Sequence, residues 1–338
     1  MRSPVDAYRA LVAVTGARFN TRGSFQPTRL VWTRGIALLC DHNGGFSFVR
    51  KQRGGGRAAL RFHPDAYAAI QDGDLVWVRL TALPQFLDEV MPHVRARFAL
   101  VTGDEDWAIP SDFDGASEIL ASENVLAWFT QNFDGTDVTG KVHPIPIGID
   151  FHTIANRHKW GHWQATPQQQ EAELDRLHAR MPANGSRLLR AHADFHFNRH
   201  VRPTAGETRD AIQSALANNP VVDFQPRKIP RSDLWREKTR YAFAISPHGH
   251  GLDTHRTWES LALGNIPIVK RSSIDALYEG LPVVVVDDWS EITAAALERW
   301  HIQHQAAFRD VSVQERLTNV FWTERMRRTA RRILAERR

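Results

Sequence analysis

The apolar positions of this chain change their period repeatedly, and each change marks an element. From Asp74 onward a continuous apolar run (residues 75–80) gives way to apolar residues at helical spacing (84–94), then to a second run (97–102). Short continuous runs predict buried strands, and three-to-four-residue spacing predicts helix. Strand, helix and strand in this order imply a parallel pair with a right-handed crossover. A polar stretch, 151–183, predicts a linker followed by a surface helix over PQQQEAELDRLHARM. The alternation then resumes, with strands predicted at 187–191, 221–224, 241–246, 266–269 and 281–286 and helices at 206–217 and 232–240. Upstream, residues 1–20 predict a helix, while 30–32, 36–40 and 46–49 predict short strands, with Asn43-Gly44-Gly45 as a hairpin connection. The pattern is that of an α/β protein with two Rossmann-like units, 1–150 and 155–310, and a helical tail, 311–338.

Composition narrows the class. The chain has 338 residues, 42% of them apolar, which allows a substantial core. A single cysteine, Cys40, excludes an intrachain disulfide and sits in an apolar run, as a buried inert thiol does. No run reaches the roughly 20 apolar residues of a membrane-spanning helix. The start, MRSPVDAYRALVAVTG, has no long apolar core typical of a secretion signal. A cytoplasmic protein is therefore expected. Formal net charge is +5, a balance that suits anionic ligands or an anionic membrane face. The sixteen histidines show no metal-binding spacing such as HExxH.

The stretch YAFAISPHGHGLDTHRTWESLALGNIPIVK, residues 241–270, concentrates the candidate chemistry. It reads as strand, glycine turn, helix, turn and strand. Gly249 and Gly251 permit a sharp turn and close approach of a ligand. Asp253 or Thr254 suits the N-cap. A helix N-terminus behind such a turn offers free amides to an anion, and His255 and Arg256 add positive charge in the first turn. Glu259 follows one turn later, where a carboxylate can hold ribose hydroxyls. The alternative is an ordinary crossover whose Arg256 and Glu259 form a surface ion pair.

The string SPHGHGLDTHRTWESLALGNIPIVK is similar to exostosin-like glycosyltransferases, and G-L-x6-E-x4-G-x2-P-I-V resembles the donor half of enzymes with GT-B architecture. DDWSE (287–291) is similar to the same family, with Ser290 as a natural helix cap. The resemblance implies two Rossmann-like domains facing a cleft, with a C-terminal helix crossing back. It also implies a nucleotide-sugar co-substrate and transfer of the sugar to a glycan or other hydroxyl acceptor. Donor-binding residues would be Arg199, Arg202, Ser246, His248, Gly249, Gly251, Asp253, His255, Arg256 and Glu259.

At the carboxyl end of the 97–102 strand stand Asp104, Glu105 and Asp106, where open α/β sheets bind ligands. Asp-x-Asp resembles the metal signature of GT-A enzymes. In a GT-B enzyme Asp104 or Asp106 would instead be the base that deprotonates the acceptor. A solvated acidic turn is the third alternative. The downstream nucleotide motif favours the base over the metal site, and an inverting transferase with no resident metal and no other cofactor is expected; a retaining, front-side route, which needs no such base, stays open. P-I-P-I-G-I-D (144–150) resembles the close of a GT-B first domain. It makes Asp150 and His152 cleft candidates, with a turn or helix cap as the alternative. In NVLAWFTQN (124–132), Trp128, Gln131 and Asn132 read as a packed Trp with a polar turn, or as the acceptor side. Arg209 opens the 206–217 helix, where a guanidinium suits phosphate. The basic loop RKQRGGGR (50–57) reads as a solvated loop or a phosphate contact.

The tail holds seven arginines against two glutamates over 323–338. It reads as the returning GT-B helix, as a peripheral membrane contact through anionic lipid, or as both. Three other functions compete: an epimerase or hydrolase of nucleotide sugars, a non-catalytic glycan or nucleotide binder, and a nucleic-acid binder. The last has no recognisable aromatic and basic module. Donor base, sugar, acceptor and linkage lie beyond the sequence.

Overall fold

The computed structural model describes residues 27–44, 62–156, 158–182, 186–197 and 207–337. The helix expected at 1–20, the strand at 46–49, the loop 50–57 and the donor candidates Arg199 and Arg202 lie outside the described residues.

The first sheet has four strands in the order β1-β2-β3-β4: β1 (Leu75–Arg79), β2 (Phe98–Gly103), β3 (Val125–Thr130) and β4 (Val142–Pro144). The second has five, β6-β5-β7-β8-β9: β5 (Leu188–Ala193), β6 (Val222–Phe224), β7 (Tyr241–Ile245), β8 (Ile266–Lys270) and β9 (Val284–Val286). Every pairing is parallel. Parallel strands are covered on both faces, which is why β2, β3 and β7 read as unbroken apolar runs and are buried throughout. The expected α/β class with two Rossmann-like sheets is what the chain adopts.

On one side of the first sheet, Val76, Val78, Leu100 and Trp128 pack with Phe86 of helix α2 (Leu83–Glu89). On the other, Trp77, Val101 and Phe129 join a core that continues into the second unit through Ile147, Ile149 and Phe151. Helix α1 (Thr33–Leu39) occupies the stretch whose apolar run predicted a strand at 36–40. Ile36 and Ala37 are fully buried there, and the run reflects a helix enclosed by its neighbours. Leu30 and Trp32 are extended, as expected, but pair with Thr318 and Gly148 rather than with a hairpin partner.

The remaining helices are α3 (Ala116–Ala121), α4 (Phe151–Asn156), α5 (Pro167–Arg180), α6 (Arg209–Leu216), α7 (Arg231–Lys238), α8 (His255–Ala262), α9 (Ala294–His304), α10 (Val311–Arg316) and α11 (Asn319–Glu336). Ser290 caps nothing: Asp288 caps a 3-10 turn, and Thr293 caps α9 with its hydroxyl on the Ala296 amide. The tail does cross back. Helix α11 lies on α1 and on β2 and β3. Its first residue, Asn319, accepts from the Trp32 amide at 3.1 Å and donates to the Thr28 and Leu30 carbonyls at 2.9 Å each. Arg327 forks onto Asp41 at 2.7 and 2.9 Å. Both chain crossings between the units, at Ile147–Ile149 and at Leu317–Asn319, are thus stitched to one extended segment: Val31 donates to the Leu317 carbonyl, and Ile149 donates to Val31, each at 2.8 Å. No described helix is long and apolar enough to cross a membrane.

Candidate active site

The glycine turn after β7 forms as predicted, but its glycines answer mainly to packing. A Cβ on Gly251 would overlap the carboxamide of Asn132, which comes from the end of β3 in the other unit. A Cβ on Gly249 would stand 3.3 Å from the Arg209 guanidinium and from the Thr254 methyl. Asp253 is not the helix cap, and its side chain is buried. Its buried carboxylate accepts from the Ile147 amide at 2.8 Å and from Trp258 Nε1 at 2.8 and 3.0 Å, tying the turn to the first unit. Burial pushes this carboxyl up to about 6 despite those donors. Thr254 occupies the N-cap without a side-chain capping bond, because its hydroxyl pairs with Ser246 at 3.1 Å. Ser246 bonds Thr257 as well, at 2.8 Å, and is a buried structural residue.

The first turn of α8 presents neighbouring residues to two different places. Arg256 turns to the second unit, where its Nε donates to Asp194, and its terminal nitrogens have no partner among the described residues. Lys238 reaches the same carboxylate at 3.2 Å. Arg209, from the start of α6, donates to the carbonyls of His248 at 3.3 Å and Phe195 at 3.5 Å. Arg256 and Lys238 thus pair with Asp194, and Arg209 feels the charge of the same carboxylate at the glycine turn. Burial lowers Arg209 to about 10, with Arg256 adding repulsion. Asp194 stays ionised, since Arg256 and Lys238 outweigh its own desolvation. The Arg256–Glu259 ion pair of the alternative reading does not form: Arg256 pairs with Asp194. Glu259 accepts from Trp235 Nε1 through one oxygen at 3.1 Å, and the other has no hydrogen-bond partner among the described residues. His248 is buried; its Nδ1 donates to the Leu252 carbonyl at 2.8 Å, while Nε2 has no hydrogen-bond partner among the described residues. Asn132 Nδ2 is likewise buried and unsatisfied among them.

His255 turns the other way, donating Nδ1 to the Gly148 carbonyl at 2.7 Å. There it meets His152, ring centroids 5.7 Å apart, and Asp150. His152 Nδ1 lies 3.1 Å from Asp150 Oδ1, whose other contact is the Thr153 amide at 2.9 Å. Burial raises the Asp150 carboxyl, but His152, His255, Arg231 and the Thr153 amide reverse this, so it stays ionised. Burial lowers His152, only partly countered by Asp150, so the imidazole is neutral near neutral pH. Nδ1 then donates to the carboxylate and Nε2 keeps a lone pair. The ligand atoms of Asp150, His152 and His255 lie within 4.8 Å of one another, a set that can hold a cation. The Arg231 and Arg34 charges felt at Asp150 and His152 oppose one.

Asp104, expected as the base, is engaged differently. Its carboxylate is almost fully buried between Arg34 and Arg79, each at 3.2 Å. Burial raises its pKa, and the two guanidiniums bring it below the ordinary value. A carboxylate so held is a weak proton acceptor. Asp106 is exposed on the same turn. Trp128 is core, donating to Thr102 at 2.9 Å, while Gln131 and Asn132 do reach the junction. Sequence reasoning did not single out Arg34, Arg79, Arg231, Lys238 or Asp194. All five are charged residues beside apolar runs, and burial of that kind has no local sequence signal.

No protein-family model matches the chain, and no curated protein matches it. Similar solved structures include the α,α-trehalose 6-phosphate synthase of Burkholderia multivorans, with 16% identity, 81% of this chain and 75% of that chain covered, and a TM-score of 0.40. A UDP-forming α,α-trehalose-phosphate synthase of Burkholderia xenovorans has 14% identity over 80% and 75% of the two chains, with a TM-score of 0.41. An E. coli structure bound with UDP-2-fluoro glucose has 14% identity over 81% and 75%, with a TM-score of 0.34. These likenesses are distant and carry no functional argument.

Proposed function

We propose that the chain is a nucleotide-sugar-dependent glycosyltransferase whose donor diphosphate lies at the glycine turn and whose acceptor meets His152. The observation that carries this is the charge imbalance there: among the described residues Arg256 and Lys238 share the Asp194 carboxylate and Arg209 lies within reach of its charge, next to a helix N-terminus. Such a buried excess of positive charge is relieved by a bound anion. The Arg256 terminal nitrogens and Arg209 would hold the diphosphate oxygens and stabilise charge as it develops on the leaving group. The second oxygen of Glu259 would take the ribose hydroxyls, and the lone pair of His248 Nε2 would accept from a sugar hydroxyl.

His152, oriented by Asp150, replaces Asp104 and Asp106 as the proposed base. Its Nε2 takes the proton of an acceptor hydroxyl as that oxygen bonds to the anomeric carbon. The bond from carbon to diphosphate breaks, and its electron pair leaves with the nucleoside diphosphate. Attack from the face opposite the leaving group inverts the anomeric centre. No metal is required in this scheme, because guanidiniums neutralise the leaving group.

Thermal-shift titration against a panel of nucleoside diphosphates tests the donor site. The wild-type chain should gain stability with at least one of them, and Arg209→Met should weaken that binding at least tenfold while remaining folded. Equal affinity in the variant would remove the assignment.

A further inference from the structure

Resting on the transferase reading, we propose that Trp160 and Trp163 form a stacking platform for an oligosaccharide, the acceptor chain. They are the only large aromatic side chains strongly exposed among the described residues, at 46% and 44%; the other large exposed apolar residues are aliphatic. Water-facing tryptophans usually lower free energy by burying their edges, yet here the backbone holds them out. Trp160 itself adopts a left-handed conformation, φ 53°, which a bulky residue rarely takes without support. The support is on both sides. Its carbonyl accepts from the Arg231 amide at 3.1 Å, and Gly161, also left-handed, leaves room against Pro230. Lys159 and His162 bridge beneath it, and His162 Nε2 lies 3.0 Å from Glu173.

The chemistry around the rings selects the ligand. Lys159 Nζ stands 4.4 Å from the Trp160 centroid, and His158 meets Trp163 edge-on at 5.7 Å. Lys159 lies over one face of the Trp160 ring, and an exposed π face beside such polar groups matches a sugar ring, whose C–H face stacks while its hydroxyls find polar partners. Two side chains fall far short of the ~800 Å² per partner of a stable protein interface. The platform is also joined to the proposed base. Arg231, whose amide holds Trp160, donates through its guanidinium to the Asp150 carbonyl at 2.8 Å, and Asp150 orients His152. A glycan lying on the tryptophans would extend toward the same junction.

The test measures binding of the full chain to immobilised hexaoses of glucose, galactose and mannose, to a galacturonic acid hexamer, and to phosphatidylcholine–phosphatidylglycerol vesicles. At least one hexaose should be held. The double variant Trp160→Gly, Trp163→Ala should bind it at least tenfold more weakly, and Trp160→Phe should retain most of the affinity. The glycine relieves the left-handed backbone, so the variant keeps its fold. Vesicle binding alone, no hexaose binding, or equal binding by the double variant would each overturn the platform. Thermal shifts with nucleoside diphosphates on the same wild-type preparation separate the two ideas. Nucleotide binding without glycan binding leaves the transferase and removes the platform; glycan binding alone does the reverse.

Discussion

His152, at the start of α4, and Asp104, in the turn after β2, face one junction, and a single pair of substitutions tells their roles apart. His152→Gln keeps a hydrogen-bonding side chain but loses the basic nitrogen. Transfer should fall by about 10²–10⁴ while nucleotide binding and melting temperature hold. Asp104→Asn leaves Arg34 and Arg79 without their shared carboxylate. Removing one partner from a buried ion cluster costs about 3–5 kcal/mol, so this variant should melt markedly earlier. The reverse pattern, a stable but inactive Asp104→Asn and an active His152→Gln, would restore the carboxylate as base. The sequence pointed to Asp104 because it stands at a strand end. It offered no sign that two arginines, 70 and 25 residues away in the chain, close over it.

At the scale of elements, the segment after β4 shows how a short motif can be legible for its place and not for its reason. P-I-P-I-G-I-D marks the crossing between units, and Gly148 makes it possible. Its φ is 67°, and a Cβ there would land on the Val31 carbonyl. Gly148→Ala should therefore destabilise the chain by more than about 3 kcal/mol in urea titration. Gly140, with φ 71° but nothing within 4 Å, serves as the control. Alanine there should cost only about 1 kcal/mol, for conformation alone. Equal losses would mean that the close approach is not what demands glycine. The strands of the second sheet were readable because a parallel strand buried on both faces writes its burial into consecutive residues. Helix α1 was not, since seven residues enclosed by α11 and the first sheet look locally like a strand. The capping of α9 shows a third case: Ser290, Asp288 and Thr293 are all competent caps, and only the packed turn decides among them.

The whole molecule carries a pH dependence set by its buried histidines. Burial lowers the pKa of His143, His152, His192 and His248 below the ordinary value. As pH falls through the ordinary histidine range, the unfolded chain takes up protons that the folded chain refuses. Their contribution is thus present above that range and lost on acidification, by up to about 1.4 kcal/mol per pH unit for each histidine. Asp253 acts in the opposite sense. With its folded pKa raised to about 6, it favours the folded state increasingly as pH falls from there toward the ordinary carboxylate value. His301 and His304 are lowered too, while Glu105 and Glu171 are raised alongside Asp253. Among the described residues, six lowered histidines against three raised carboxyls give the net direction: the melting temperature should drop between pH 7.5 and 5.5, and a rise would contradict the burial of these rings. Asp253→Asn should steepen that drop, since it removes an opposing group.

The segment Leu30–Trp32, pinned on one side to Gly148 and on the other to Thr318, has a mechanical consequence. A disturbance at either crossing is therefore felt at the other through three residues of extended chain. With the further ties from Asn132 to Asp253 and from Asp253 to Ile147, the junction is a riveted seam.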